Sequence, residues 1–385
     1  MHAGTAMAQD AMILDSIDRF LERDVAPYVH ELEQDDEWPS EIVDRMRDLG
    51  LFGATIGTEY GGLGLSCTTY ASIVERVSRV WMSLTGIFNS HLIMAAAVER
   101  FGTEDQRKEW LPRFASGELR GGIALTEPDC GTDLQAIRTR ARADNASYII
   151  DGTKTWISNG LHGHVLAVLV KTDPEAEPRH HGISLLLVEK GPGLTVSRKL
   201  EKLGYKGIDS VELVFEDCRV PAANLIGGQE GKGFGMIMAG LELGRINVAA
   251  RGVGVAQAAL DEAVRYSQQR KTFGRAICEH QAIQLMLAEM ATRTEAARLL
   301  TRNAAQAYDA GQRCDMEAGM AKYFSTEAAV SNAMDSMRVH GGYGYSKEFP
   351  VERLYRDAPL LTIGEGTNEL QRIIIARQLI SRNPA

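Results

Sequence analysis

Residues 355–380 read YRDAPLLTIGEGTNELQRIIIARQLI and hold an isolated carboxylate, Glu365, between two glycines. Leu370, Ile373 and Ile380 then recur at a spacing near 3.6 residues, which predicts a helix that runs to the end of the chain. Glycines on both sides of the glutamate let the backbone approach a ligand closely. A glutamate at the start of a helix is either a capping charge on the helix dipole or a catalytic base. The local pattern alone leaves both alternatives open.

Composition and charge exclude several classes of protein. The 385 residues are enough for two or three domains, and the 44% apolar and 24% charged residues are typical of a soluble globular protein. The formal net charge of −9 argues against a nucleic-acid surface, because phosphate binding needs a basic stripe. No window approaches 18 uncharged apolar residues, so we expect no membrane span. The N-terminus resembles neither a signal nor a transit peptide, and we predict a cytoplasmic protein.

The cysteines and histidines indicate neither disulfides nor a metal site. The five cysteines lie far apart without a CxxC pair, and an odd number in a large chain predicts free thiols in a reducing compartment. His180 and His181 lie in a polar segment without the i, i+4 partners of a metal site. We predict a solvated loop there and no bound metal.

The hydrophobic pattern changes twice along the chain, which predicts three domains. The pattern is helical up to residue 118, where Thr103 and Gln106 form a capping box and Pro112 is expected to end or bend the helix. Residues 119–226 are rich in β-formers, and residues 227–385 return to long helices with alanine-rich faces. The predicted fold class is α+β: an N-terminal helical domain, a middle antiparallel, barrel-like β domain and a C-terminal four-helix bundle.

The middle region predicts a sheet without intervening helices. Its β-rich runs are residues 148–157, 164–170, 182–188, 194–198 and 210–215. Because no long helix separates them, we expect antiparallel pairing and exclude a doubly wound dinucleotide fold. Asp151-Gly152 predicts the turn of a hairpin. The glycine-rich residues 61–64 follow no clear strand, so a tight turn between helices is favoured over a phosphate-binding loop.

Five motifs, in the same order, resemble those of the acyl-CoA dehydrogenase family. Residues 355–377 are similar to the family's C-terminal YRDAK…IYEGT…IQR…IAR. Residues 124–133, ALTEPDCGTD, resemble A-x-TEP-x-x-G-S-D with Thr132 in place of serine, and residues 156–160, WISNG, resemble W-I-(T/S)-N-G. Residues 270–281 match RKTFG…HQ, and RVHGG at 338–342 stands where the family often has Q-x-x-G-G. The resemblance extends from about residue 14 to residue 377.

This resemblance implies FAD-dependent α,β-dehydrogenation of an acyl-CoA thioester to the trans-2-enoyl-CoA. Glu365 would abstract the α-proton while a hydride passes to flavin N5, and electron-transferring flavoprotein would reoxidise the flavin. Some branched-chain members carry their base at the position of Gly244, so Glu365 is the candidate base here. An oxidase that uses O₂ and a non-catalytic scaffold relative are the alternatives.

The resemblance also implies the binding residues. Thr126, Ser158 and Trp156 suit flavin on chemical grounds as well, because flavin needs neutral hydrogen-bond donors and an aromatic wall. Arg270 and Gln281 would reach the FAD of a neighbouring subunit in a homotetramer built from two dimers. The cofactor-binding residues so implied are Leu125, Thr126, Gly131, Thr132, Trp156, Ile157, Ser158, Arg270, Thr272, Phe273, Gln281, Arg338, Gly341, Gly342, Thr367 and Glu369. The substrate-binding residues so implied are Thr132, Arg245 and Gly366.

Three departures from the family pattern bear on specificity. Gly364 replaces a bulky tyrosine before the base, which predicts open space beside the α and β carbons of the substrate unless another side chain fills it. Met82 falls near the position of the carboxylate-binding arginine of glutaryl-CoA-type relatives. We therefore expect an unbranched aliphatic or α-branched acyl group rather than a dicarboxylic one, and a bulky or cyclic acyl group is the alternative. Arg338, in place of glutamine, either contacts the cofactor or points to solvent.

Overall fold

Two helical regions flank one β-sheet in the computed structural model of the chain, which describes residues 2–384 and their side chains from residue 10. The N-terminal helices are α1 (His2–Phe20), α2 (Val29–Gln34), α3 (Ser40–Asp48), α4 (Cys67–Phe101) and α5 (Glu104–Ala115), and a short π-helical turn at Leu21–Val25 follows α1. The predicted capping box at Thr103 and Gln106 is confirmed. Of the two outcomes expected at Pro112, an end or a bend, the end does not occur, because α5 continues to Ala115. Burial of Trp110 and Phe114 compensates for the one amide that proline lacks.

Helix α4 crosses the core of the protein. Contrary to the sequence-based expectation, this helix is long and apolar enough to span a membrane by length and composition alone, but 83% of its most apolar 18-residue window is buried inside the protein. Trp81, with φ −153° and ψ 99°, interrupts the helical backbone. The second half of α4 thereby runs in a new direction, and it carries Asn89, Ser90 and His91 toward the sheet and the C-terminal helices.

The sheet has seven strands: β1 (Gly121–Ala124), β2 (Arg140–Asp144), β3 (Ser147–Ser158), β4 (Val165–Lys171), β5 (Ile183–Glu189), β6 (Leu194–Lys199) and β7 (Ser210–Pro221). Their order is β1-β4-β2-β3-β7-β6, and β5 pairs with β4. Antiparallel pairing holds for β2–β3, β3–β7, β4–β5 and β6–β7, whereas β1 and β2 pair with β4 in parallel. No hairpin joins β1 to β4, so turn geometry does not impose the antiparallel direction on that pair.

The predicted hairpin turn at Asp151-Gly152 is wrong. β3 runs through both residues, and the turn that joins it to β2 lies at Asn145-Ala146, where Asn145 has a φ of +54°. The register against β7 shifts between Ile150 and Gly152, which marks a β-bulge. A Cβ at residue 152 would lie 2.6 Å from the Thr139 Cα. This glycine therefore allows the close approach of Thr139, the residue before β2, and does not form a turn.

The C-terminal helices are α6 (Gly233–Gln269), α7 (Gln281–Asp309), α8 (Asp315–His340), α9 (Val351–Ile363) and α10 (Asn368–Arg382). A two-stranded ribbon, β8 (Lys271–Thr272) and β9 (Arg275–Ala276), joins α6 to α7. The alanine-rich faces of α6 and α8 are buried, and a Cβ on Gly252 of α6 would lie 2.8 Å from the Ser325 carbonyl of α8. Small residues thus permit close helix packing, and the predicted α+β class is confirmed.

Other local predictions have clear outcomes. The glycine-rich segment is an interhelix turn before α4, as predicted, and a Cβ on Gly62 would lie 2.1 Å from the Ile56 carbonyl oxygen. His180 and His181 lie in a short 3₁₀ turn, Arg179–Gly182. All five cysteines are free, and all but Cys278 are buried. Among residues 10–384 no group of three or more histidine, cysteine, aspartate or glutamate side chains could hold a metal.

Candidate active site

Glu365 lies in the loop between α9 and α10, and its backbone there is strained. Its φ is +54°, a left-handed value that non-glycine residues seldom adopt, and Gly366 follows with φ +88°. The residue that caps α10 is Thr367, whose hydroxyl oxygen accepts from the Leu370 amide at 3.3 Å. The capping role at this helix start therefore belongs to the threonine, and the strained glutamate is available for another purpose.

Lys322 of α8 holds this loop in place through hydrogen bonds. Its ammonium donates to the Gly366 carbonyl oxygen at 2.8 Å and to the Asn368 Oδ1 at 2.9 Å, and the residue is fully buried. Burial lowers the pKa of Lys322 to about 8, although Glu365 and other nearby carboxylates act in the opposite direction. Lys322 belongs to none of the motifs recognised in the sequence. The one available signal was a lone lysine among the small residues of α8.

The two oxygens of the Glu365 carboxylate have different surroundings. Oε1 accepts from the Asn89 Nδ2 at 3.0 Å and lies 3.8 Å from the Arg251 Nη2. Oε2 is buried and has no hydrogen-bond partner among the described residues. One oxygen is thus held in place while the other is free to accept a proton.

Burial and nearby charge oppose one another at Glu365. Burial raises the pKa of Glu365 above its ordinary value, whereas Arg251, Lys322, the Asn89 donor and Arg245 lower it. The effect of burial is the larger, so the carboxylate is a stronger base than an exposed glutamate.

Gly244 of α6 lies directly against the free oxygen. A Cβ at residue 244 would lie 2.4 Å from the Glu365 Oε2 and 3.4 Å from the Ile93 Cδ1. Position 244 on α6 and position 365 in the loop before α10 therefore face the same point. This geometry explains how a base on either position could serve one site.

The segments 124–133 and 156–160 lie next to each other. The Thr155 amide donates to the Thr126 carbonyl oxygen at 2.9 Å, and Lys154 donates to the Leu125 carbonyl oxygen at 3.0 Å and to the Glu127 Oε1 at 2.8 Å. Lys154 is fully buried. Glu127 also accepts from the amides of residues 138 and 139. This buried ion pair holds the segment 124–133 against β3, and neither of its members was predicted from the sequence as a functional residue.

The surface formed by these two segments has the chemistry that a flavin requires. Trp156, two residues before the end of β3, has a φ of +61° and exposes 57% of its surface, an unusual placement for an indole. Thr126 and Ser158 are half-buried hydroxyl residues beside it, and Gly131 and Thr132 are exposed. An aromatic face next to neutral donors fits FAD. Leu125 is half-buried, whereas Ile157 is buried in the sheet core, so only its backbone can contact a ligand.

A second group of predicted cofactor residues lines a separate cleft of about 690 Å³ on the C-terminal helices. The predicted residues at this cleft are Arg270, Thr272, Phe273, Gly341 and Gly342. Phe273 is 98% exposed with a φ of +50°. No residue of the segments 124–133 and 156–160 lines this cleft. One chain thus presents its predicted FAD residues as two separate half-sites.

Four other predicted cofactor residues lie outside that cleft lining. Gln281 is exposed at the start of α7. Arg338 has a largely exposed side chain, and its Nη1 lies 3.4 Å from the Asp335 Oδ1, so within this chain it points to solvent. Thr367 and Glu369 lie at the first turn of α10, beside the Glu365 loop.

The remaining positions predicted to face the substrate are partly or fully enclosed. Arg245 of α6 is buried, its Nε has no hydrogen-bond partner among the described side chains, and it is one of the cations that act on Glu365. Gly366 uses its carbonyl oxygen to accept from Lys322, and its Cβ position is blocked by the Gln371 side chain at 2.8 Å. Met82 is 1% exposed and packs in the core.

Comparison with known proteins agrees with this architecture. The models of the acyl-CoA dehydrogenase N-terminal, middle and C-terminal domains match residues 7–118, 122–218 and 231–380. An acyl-CoA dehydrogenase of Bacillus subtilis (strain 168) is 41% identical over 374 residues, which are 97% of this chain and 98% of that protein.

Two solved structures are similar along nearly their whole length. Butyryl-CoA dehydrogenase from Megasphaera elsdenii has a TM-score of 0.93 and 35% identity, covering 96% of this chain and 98% of that one. A chain from a study of the electron transferring flavoprotein of Acidaminococcus fermentans has a TM-score of 0.93 and 39% identity, covering 96% and 97%. The chain therefore belongs to the acyl-CoA dehydrogenase family of FAD-dependent oxidoreductases.

Proposed function

We propose that this protein dehydrogenates an acyl-CoA at its α and β carbons, with Glu365 as the base that removes the α-proton. The observation that carries the proposal is the divided environment of the carboxylate. Asn89 holds Oε1, and Oε2 is buried without a partner. A base so oriented loses little entropy when it meets a positioned substrate.

Other groups of the chain would support this step. Within residues 10–384 the amide of Glu365 itself donates to no protein acceptor, so it is available to a thioester carbonyl oxygen. A donor at that position stabilises the charge that develops when the α-proton leaves, and one such donor is typically worth on the order of 10²-fold in rate. Bound FAD supplies the two-electron acceptor for the β-hydride. Trp156, Thr126 and Ser158 would hold its isoalloxazine ring, and Thr132 and Arg245 would contact the substrate.

The two half-sites support assembly into an oligomer. Thr126 and Trp156 lie on the sheet, whereas Arg270 and Gly341 line a cleft on the C-terminal helices. A complete FAD site requires both groups, so we infer that a second copy supplies the Arg270 group, within a homotetramer. A monomer at micromolar concentration that retains its full FAD content would contradict this arrangement.

The physiological electron acceptor and the acyl group are also inferred. The similarity to the chain from the electron transferring flavoprotein study supports that flavoprotein as the acceptor. A Cβ on Gly364 would have only the Leu360 carbonyl oxygen within 4 Å, at 3.4 Å, which supports open space for an unbranched or α-branched acyl chain. Fast turnover with O₂ alone would instead indicate an oxidase, and a colourless protein would indicate a scaffold.

The deciding experiment replaces Glu365 by glutamine. This change is nearly isosteric and removes only proton acceptance, so we expect the protein to stay folded and yellow while anaerobic flavin bleaching by a panel of straight and α-branched acyl-CoAs is lost. Glu109→Gln, an exposed glutamate on α5, is the matched control and should bleach normally. Full activity of Glu365→Gln would refute the assignment of the base.

A further inference from the structure

Behind the Glu365 loop lies a closed ring of buried polar side chains. Helix α4 contributes Tyr70 and Asn89, and α6 contributes Asn247 and Arg251, all at most 5% exposed. Glu365 completes the ring from a third element. No motif of the sequence includes the four helical residues, and burial of so many polar groups is costly unless each is paired.

The hydrogen bonds connect these residues in one order. The Arg251 Nε donates to the Asn247 Oδ1 at 2.7 Å, and the Asn247 Nδ2 donates to the Tyr70 hydroxyl oxygen at 2.8 Å. That hydroxyl donates to the Asn89 Oδ1 at 3.1 Å, and the Asn89 Nδ2 donates to the Glu365 Oε1 at 3.0 Å. The Arg251 Nη2, 3.8 Å from the same Oε1, closes the ring.

The direction of every bond follows from the guanidinium. Arginine only donates, so Asn247 must turn its carbonyl oxygen toward Arg251 and its NH₂ group toward Tyr70. The Tyr70 oxygen accepts that proton and can donate only its own, to the carbonyl oxygen of Asn89. The Asn89 NH₂ group is then left facing Glu365. A reversed asparagine at any step would place two acceptors or two donors against each other.

We propose that Arg251 is a positioning residue for the base: through Asn247, Tyr70 and Asn89 it fixes which carboxylate oxygen of Glu365 is held and which is free to take the α-proton. This inference rests on the proposed role of Glu365. The ring also favours the ionised carboxylate, because a donor and a buried cation both converge on Oε1.

Arg251 is itself held against rotation. Its Nη1 donates to the Tyr205 hydroxyl oxygen at 3.3 Å. Tyr205 is buried, and its hydroxyl occupies the space beside Gly86, where a Cβ would lie only 1.6 Å away. The glycine of α4 thus makes room for the group that fixes the guanidinium.

A simple alternative is that Arg251 acts only as a nearby positive charge. Arg245 from α6 and Lys322 from α8 also act on Glu365, so the carboxylate does not depend on one cation for neutralisation. What distinguishes the ring is Tyr70, an uncharged residue that influences Glu365 only by orienting Asn89. Removal of the Tyr70 hydroxyl therefore tests the orienting role of the ring without changing any charge.

The test compares Tyr70→Phe with Arg251→Met, using the acyl-CoA of the panel with the highest kcat/KM. Loss of the oriented donor raises the pKa of the base, and a general base works only when deprotonated. We expect the acid limb of the kcat/KM profile to move up by about one pH unit in Tyr70→Phe, which lowers kcat/KM about tenfold on that limb and little at alkaline pH. Arg251→Met, which also loses the cation, should move the acid limb to still higher pH. Exchange of the substrate's α-proton with D₂O should follow the same profile.

The control is Tyr148→Phe in β3. This change also removes a tyrosine hydroxyl, one that donates to the Glu230 Oε1 at 2.6 Å and lies outside the ring. Its pH profile should match the wild type. An unshifted acid limb in Tyr70→Phe, or a loss equal at every pH with a lower melting temperature, would overturn the inference. If Arg251→Met does not fold, Tyr70→Phe alone decides. An active Glu365→Gln would instead overturn the proposed function.

Discussion

Gly244→Ala should separate stability from activity. Because a Cβ at residue 244 would lie 2.4 Å from the Glu365 Oε2, against an ordinary carbon–oxygen contact well above 3 Å, the carboxylate has to move by about 1 Å. A displacement of this size at a reacting group costs on the order of 10²-fold in rate. Alanine in a helix interior stabilises the folded state by about 0.5–1 kcal/mol relative to glycine, and the strain of the new contact with Glu365 offsets part of this gain.

We therefore expect Gly244→Ala to keep its FAD and to unfold no earlier than the wild type, while kcat falls about 100-fold. The assay is single-turnover flavin bleaching under anaerobic conditions, together with thermal unfolding. Gly235→Ala is the matched control, since it lies in the same helix and its Cβ would have no atom within 4 Å. Wild-type kcat in Gly244→Ala would refute the view that the free oxygen faces α6.

Two further predictions concern the cofactor surface and the substrate. Lys154→Met leaves the Glu127 carboxylate buried without its cation, which should lower the free energy of unfolding by about 3–5 kcal/mol and reduce FAD retention on gel filtration. An unchanged denaturation curve with full FAD content would show that the ion pair does not hold residues 124–133 in place. Gly364→Tyr should lower kcat/KM for α-branched acyl-CoAs at least roughly tenfold more than for straight ones, about 1.4 kcal/mol. The φ of −68° at residue 364 is compatible with any residue, so equal losses on both substrates would mean that Gly364 does not shape the pocket.

The order and type of most elements could be predicted from the sequence. The change from helical to strand periodicity and back is a local property, and the capping box at Thr103 is built from residues three positions apart. Errors arose where a local signal had two structural meanings. Asp151-Gly152 predicts a turn on propensity, but the approach of Thr139, the residue before β2, requires the same glycine in a bulge. Likewise Pro112 stays within α5 because the buried residues around it hold the helix together.

What the sequence by itself determined is the set of candidate groups for the proposed chemistry. Glu365 between glycines, Trp156 and the hydroxyl residues Thr126 and Ser158 were recognisable as candidates because each motif is contiguous in the chain. Only the tertiary structure decided how the proposed base is oriented. Asn89 is 276 residues from Glu365, and Tyr70 is 177 residues from Asn247, so nothing local links them. Hydrogen-bond direction depends on which buried groups meet, and that is settled only when α4, α6 and the C-terminal loop pack together.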